Sequence, residues 1–298
     1  MGACARMQGG RGCREDAVIK VEPYTQTAGG AQESGDGAAG QTSKHPRVGF
    51  LGVDFDVATL DEAVREIVAG TNRPFSYVVT PNVHHIVKMN EMGDALVPAY
   101  RQAWRTYCDS RILAMIARWF SIKLPVVTGS DLTPGVLAEA ERRGLQVAIV
   151  GPEAEQIAVL QRRYPGLRIS LHTPPMGFIK MPLQVERCVA FVEAARAPIT
   201  LLAVGMPQQE LLAARIAARG RAIGIGLCIG ASIDFLTGRQ NRAPVWMQNA
   251  HLEWLYRLFS EPRRMASRYL IECPRIFALA WRWKRLGSRP TAGIEGAN

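Results

Sequence analysis

The sequence predicts a doubly wound α/β domain, Rossmann-like, with a mostly parallel sheet and a basic, aromatic, helical appendage at its C-terminal end. Three observations carry this. Apolar runs of strand length alternate with helical patterns from Val48 to about residue 240, those runs are apolar throughout, and large aromatics stand among arginines from Arg242 onward. Strands that are apolar on both faces need cover on both faces, as in a parallel sheet between two layers of amphipathic helices.

Taken in order, VGFLGV is the first predicted strand and ATLDEAVREIVAG its helix. FSYVVT precedes NVHHIVKMNE, and LQVAIVG precedes EAEQIAVLQRRY. LRISL precedes LQVERCVAFVEAA, ITLLAVG precedes QQELLAARIAARG, and AIGIGLCIG comes last. Residues 1–46 are rich in Gly, Ser, Gln and Ala with almost no aliphatic cluster, the composition of a disordered tail. The predicted organisation is therefore that tail, an α/β domain over 47–240, a membrane-associating helical appendage over 241–288, and a second disordered tail over 289–298.

With 298 residues, 48% of them hydrophobic, the chain can bury a substantial core. The net charge of +10 favours an anionic partner, although charge alone does not separate nucleic acid, phosphorylated small molecules and an acidic membrane. From Arg239 to Arg289 there are eleven Arg and Lys against three Glu, so eight of the ten net positive charges fall there. The six cysteines have neither a paired spacing nor His neighbours suited to zinc, and read as free thiols of a reducing cytosol. The first residues lack the apolar run of a secretory signal, and no stretch reaches the length of a spanning helix, which predicts a protein that stays on the side where it is made.

In doubly wound folds, ligands bind beyond the carboxyl ends of the strands. The loops at those positions contain Thr80-Pro81-Asn82, Asp109, Thr128-Gly129-Ser130-Asp131, Pro207-Gln208-Gln209-Glu210, and Gly230-Ala231-Ser232 with Asp234. Asn82 and Ser130 suit helix caps, and equally suit a phosphate or sugar hydroxyl at a helix N-terminus. Asp109 has two readings, a helix cap before RILAMIARWF or a carboxylate ionised near neutral pH that accepts a proton. GIGLCIG is not GxGxxG and is not followed by a βα unit with a ribose-binding acid, which argues against a nicotinamide cofactor. His84 and His85 point about 100° apart on a helix and do not ligate one metal together, so at least one is a surface or packing residue. Asp54 and Asp56 form an Asp-x-Asp pair, which reads either as turn and cap formers or as a divalent-metal site of a metal-dependent sugar transferase.

In the tail, Arg257, Arg264, Arg268 and Arg275 are spaced 7, 4 and 7, but Pro262 and Pro274 interrupt a continuous helix. Short helices are expected, with Leu252, Leu255, Tyr256 and Phe259 inward and Trp281, Trp283 and their basic neighbours outermost. Such a surface suits an acidic membrane, with arginines brought over the rim to a diphosphate. Aromatics among arginines also suit single-stranded nucleic acid, the reading of a non-catalytic basic module, although no recognisable nucleic-acid fold accompanies them.

The ordered set Thr80-Pro81-Asn82, Asp109, Gly129-Ser130-Asp131-Leu132, Gly205-x-Pro207-x-Gln209-Glu210, Gly230-Ala231-x-x-Asp234-Phe235, Arg242-Ala243-Pro244 and Leu252-Glu253-Trp254-Leu255-Tyr256-Arg257-Leu258 resembles the WecG/TagA/CpsF family of bacterial glycosyltransferases. The matching motifs run from about Val48 to Arg264. This resemblance implies an inverting transfer of a hexose or N-acetylhexosamine from a UDP-sugar to a polyprenyl-diphosphate-linked saccharide. It places that reaction in surface or exopolysaccharide assembly, at the inner face of the cytoplasmic membrane, without a cofactor or a required metal. By position it implies Asp109 as general base, with Thr80 and Asn82 positioning the acceptor or that base. Gln209, Gly230, Asp234, Arg257, Arg264 and Arg268 are implied at the donor and its diphosphate, with arginine forks offsetting the charge on departing UDP. Ser110 stands where the family commonly has Gly. The implied partners are a UDP-sugar, the lipid-linked acceptor and an anionic membrane, with no nucleic acid. Self-association and the identity of the sugar, N-acetylmannosamine, its uronic acid or glucose among them, are left open.

Overall fold

A computed structural model describes residues 45–285 apart from 242, 245, 248–252, 261, 267–269 and 271. The predicted tail 1–46 lies almost wholly outside them, as does 289–298. Six strands form one parallel sheet in the order β4-β3-β8-β7-β5-β6: β3 (Ser76–Val79), β4 (Arg105–Thr106), β5 (Gln146–Val150), β6 (Arg168–His172), β7 (Ile199–Leu202) and β8 (Ile225–Cys228).

VGFLGV is not a strand of that sheet. Its residues form an antiparallel hairpin, β1 (Arg47–Phe50) and β2 (Val53–Asp56), in which Arg47 pairs with Asp56 and Phe50 with Val53. Leu51 and Gly52 both have positive φ, 52° and 80°, the two-residue turn whose twist matches a hairpin. The apolar run is therefore continuous in sequence but folds back on itself.

Side chains of each central strand alternate between two cores. Tyr77, Val79, Leu202 and Cys228 face one layer, which contains Ile86 of α2 (Val83–Met92), Val189 of α7 (Pro182–Ala195) and Ile216 of α8 (Gln208–Arg219). Val78, Ile149, Leu201 and Leu227 face the other, with Ile67 of α1 (Leu60–Ala69), Val136 of α5 (Gly129–Arg142), Ile157 of α6 (Ala154–Arg163) and Ile233 of α9 (Ser232–Leu236). Each aliphatic side chain so buried contributes roughly 1.5–3 kcal/mol. Tyr77, fully buried, keeps its hydroxyl satisfied by donating at 2.5 Å to the carbonyl of Ala99 on α3 (Val97–Arg101).

Three helices are described in the tail, α10 (Glu253–Ser260), α11 (Pro262–Ala266) and α12 (Arg275–Arg285), the second beginning at Pro262 and the third just after Pro274. Two side chains depart from expectation. Trp283 is half-buried and meets Phe50 and Phe120 edge-on, at 5.3 and 5.4 Å between ring centroids, while Ile276 and Ala280 are buried on the same face of α12. Residues 276, 280 and 283 share a stripe, so α12 spends its Trp283 face on the core and presents Phe277 and Trp281 outward. Phe259, expected inward, is 75% exposed, and Leu252 lies outside the described residues.

Candidate active site

Strand β3 and its neighbour β8 send their following helices to opposite faces, α2 to one core and α9 to the other. A crevice opens between such helices at the carboxyl rim, where ligands of doubly wound folds bind. Four adjacent strands supply the predicted residues there: β4 leads to Asp109, β3 to Thr80 and Asn82, β8 to Gly230 and Asp234, and β7 to Gln209.

The loops are tied to one another through the backbone. The Asp109 amide donates to Pro81 O at 3.0 Å, and Cys108 forms a parallel bridge with Val126, the Val127 amide donating to Cys108 O at 2.9 Å. Thr80 Oγ1 donates to Cys228 O at 3.3 Å. A methyl group added at Gly129 would stand 3.3 Å from both Thr80 Oγ1 and Ser232 Oγ, so three loops converge on this glycine with no room to spare.

The capping roles fall differently from the sequence reading. Ser110, not Asp109, caps α4 (Arg111–Arg118): its side chain accepts from the Leu113 amide at 3.1 Å. The N-cap reading of Asp109 is thereby replaced by Ser110. Thr128, not Ser130, caps α5, accepting from the Asp131 amide and donating to Asp131 Oδ2 at 2.8 Å. Asn82 does cap α2, accepting from His84 N at 3.0 Å and His85 N at 3.4 Å, while its own amide donates to His85 Nδ1 at 3.2 Å.

That last bond leads into a buried polar chain. With Nδ1 accepting, the His85 proton belongs on Nε2, which lies 3.7 Å from Glu210 Oε1. Gln209 Nε2 donates to the same oxygen at 2.8 Å, and Gln209 Oε1 accepts from the Gly230 amide at 2.9 Å. Gly230 has φ of 54°, which a residue with a Cβ rarely adopts. Gln209 thus holds the Gly230 loop in place. Glu210 is 1% exposed, and burial pushes its carboxyl up to about 7. The sequence marks Glu210 only as one polar rim residue among several and at least one of His84 and His85 as surface or packing; the Glu210–His85 pairing joins residues 125 positions apart and has no local signature.

Asp234 accepts from Gln156 Nε2 at 2.8 Å, and Arg239 reaches Gln156 Oε1 at 3.1 Å, so its carboxylate is braced by α6. His84 instead pairs outward, its Nδ1 3.2 Å from Glu272. Cys108 and Cys228 flank the rim, but burial raises the first thiol to about 12 and the second well above its usual range, so neither is poised as a nucleophile. Arg268 lies outside the described residues, as do the side chains of Arg257 and Arg264 on α10 and α11.

The Asp54/Asp56 pair stands on the hairpin. Asp56 is fully buried and committed: Oδ1 accepts from Arg47 Nε at 3.0 Å and Arg105 at 3.3 Å, and Oδ2 from the Thr106 amide at 2.8 Å. Arg105 is also paired with Glu66. Among the described residues no three His, Cys, Asp or Glu are grouped to hold a metal, and no helix is long and apolar enough to cross a membrane.

Beside the rim a cavity of about 730 Å³ follows α4, from Arg111 to Arg118 and Lys123 on one side and from Leu124 to Thr128 and Asp131 on the other. A second, of about 500 Å³, lies between the hairpin, Tyr100 and Trp283.

Helix caps, a carboxylate and glycine turns thus stand together over the carboxyl end of a parallel α/β sheet, the place where ligands of doubly wound folds bind. Residues 48–290 match the model of the glycosyl transferase WecG/TagA/CpsF family, and the chain belongs to that family. The match continues past Arg264, where the recognised motifs ended, through α12.

Proposed function

We propose that the protein is an inverting glycosyltransferase that moves a hexose or N-acetylhexosamine from a UDP-sugar to a saccharide carried on a polyprenyl diphosphate, in surface or exopolysaccharide assembly at the inner membrane face. The observation that supports this most is the placement of Asp109: it ends the β4 loop, its backbone is locked to Pro81 beside Thr80 and Asn82, and the neighbouring serine has taken over the capping of α4.

In this reading Asp109 accepts the proton of the acceptor hydroxyl as that oxygen attacks the anomeric carbon. The bond from carbon to the UDP oxygen breaks with its electron pair leaving on UDP, and the configuration inverts in one displacement. Thr80 and Asn82 shape the acceptor side, while Gln209 fixes the Gly230 loop on the donor side. Arg257, Arg264 and Arg268 would offset the diphosphate charge as UDP departs. The account is written without a metal, and Asp56, the proposed ligand of the metal-dependent alternative, is already engaged by Arg47 of the hairpin and Arg105 of β4. The basic tail, with Trp246 and Phe259 exposed, is the part that would meet an anionic membrane.

The test is transfer from a panel of UDP-sugars to a polyprenyl-diphosphate-linked monosaccharide with chelator present, and the anomeric configuration of the product read by NMR. Transfer with inversion is expected. Retention, dependence on added metal, or transfer to no acceptor on the panel would overturn the reading. Tight, salt-sensitive oligonucleotide binding by a catalytically silent protein would point instead to the basic-module alternative.

A further inference from the structure

The cavity along α4 is amphipathic in an ordered way. Its rim end is Thr128 and Asp131, adjacent to Asp109 through the Cys108–Val126 bridge, with Arg111 two residues beyond Asp109. Its far end is Arg118 and Lys123, and Met115, Ile122 and Leu124 supply apolar wall between. Arg111 and Arg118 are seven residues apart on one helix, about 10 Å along its axis. Next to Arg118, Trp119 at the C-terminal end of α4 is 62% exposed and stacks on Phe277 of α12 at 6.1 Å, with Trp281 exposed one turn further.

From this we infer that the α4 cavity is the seat of the acceptor's lipid diphosphate, with the sugar at the Thr128 end and the prenyl chain leaving over Trp119 and Phe277. The inference rests on the lipid-linked acceptor proposed above and adds where and how it is held. Direction follows from charge. The Asp131 carboxylate, which accepts from Thr128 Oγ1 at 2.8 Å, repels a phosphate and suits sugar hydroxyls. The diphosphate therefore lies toward Arg118 and Lys123, which offer forked and point-charge donors, Arg118 standing about 10 Å along α4 from Arg111 at the sugar end. An isoprene unit has no hydrogen-bonding group and gains only from apolar contact, which Met115 and Ile122 provide before the stacked rings extend it. Donor and acceptor then have separate cationic partners, the tail arginines for UDP and the α4 set for the lipid diphosphate.

The test uses the full chain and three probes: farnesyl diphosphate, inorganic pyrophosphate and farnesol. Farnesyl diphosphate is expected to bind at least about tenfold more tightly than either fragment, because each fragment reaches only half of the seat. Arg118→Ala/Lys123→Ala should weaken farnesyl diphosphate about tenfold or more, and Met115→Glu should do so from the apolar side, both on exposed positions. In transfer assays the double variant should raise KM for the lipid-linked acceptor while KM for the UDP-sugar stays unchanged. Unaltered farnesyl diphosphate binding in both variants, or pyrophosphate binding as tightly as farnesyl diphosphate, overturns the seat. If wild type transfers sugar and the variants keep the acceptor KM, the seat falls and the transferase reading stands. If wild type binds farnesyl diphosphate through these residues but transfers nothing, the seat stands and the transferase reading falls.

Discussion

Gln209 Oε1 accepts the Gly230 amide at 2.9 Å while Gln209 Nε2 donates to Glu210 Oε1 at 2.8 Å, so one buried side chain links the loops beyond β7 and β8. Gln209→Ala leaves that amide without its acceptor and removes one donor from the buried Glu210 carboxyl. The expected cost is about 1–3 kcal/mol of stability. Loosening of the Gly230 loop should also raise KM for the donor more than it lowers kcat. Unchanged denaturation midpoints would remove this role.

Glu210 gives a pH dependence whose sign is fixed. Its folded value of about 7 lies above the ordinary 4.5, and burial is the main cause. The folded protein therefore keeps a proton that the unfolded chain releases, and this contribution is complete below about pH 4.5 and lost as pH rises through 7. The loss approaches ~3 kcal/mol, from ~1.4 kcal/mol per unit. A positive charge on His85, whose Nε2 lies 3.7 Å away on α2, would favour the ionised carboxyl. In Glu210→Gln the stability curve measured by urea unfolding from pH 5 to 8 should be flatter than that of wild type. Parallel curves would contradict the buried, protonated carboxyl.

Asp56 and Arg105 form a buried pair with side chains 0% and 10% exposed. Asp56→Ala removes one of the two carboxylates paired with Arg105 and the carboxylate paired with Arg47, and should destabilise the fold by about 3–5 kcal/mol. Its effect on transfer should be the same with and without chelator. An activity that added divalent metal restores in wild type and not in Asp56→Ala would revive the metal-dependent alternative.

The sheet was legible because its strands are apolar on both faces and its helices on one, a contrast that local periodicity carries. The hairpin was not, since Phe50, Leu51 and Val53 give no break in hydrophobicity and the reversal resides in two positive φ angles. Helix α12 shows a related limit: Ile276, Ala280 and Trp283 form one apolar stripe and Phe277 with Trp281 another, and only tertiary packing decides which meets the core. The placement of the candidate residues at the rim was legible because they follow apolar runs of strand length. The Glu210–His85 pairing and the cavity along α4 were not found, because both arise from elements far apart in sequence or from loops folding back beside a helix.

The central claim is that Asp109 is the base, and it is tested most directly by comparing kcat/KM of wild type and Asp109→Asn for UDP-sugar transfer to the lipid-linked acceptor, with matched thermal unfolding to show that the variant folds. The account predicts a loss of about 10²–10⁴ in rate with the unfolding midpoint nearly unchanged. A folded variant that transfers sugar at the wild-type rate would contradict it and move the base to another rim residue.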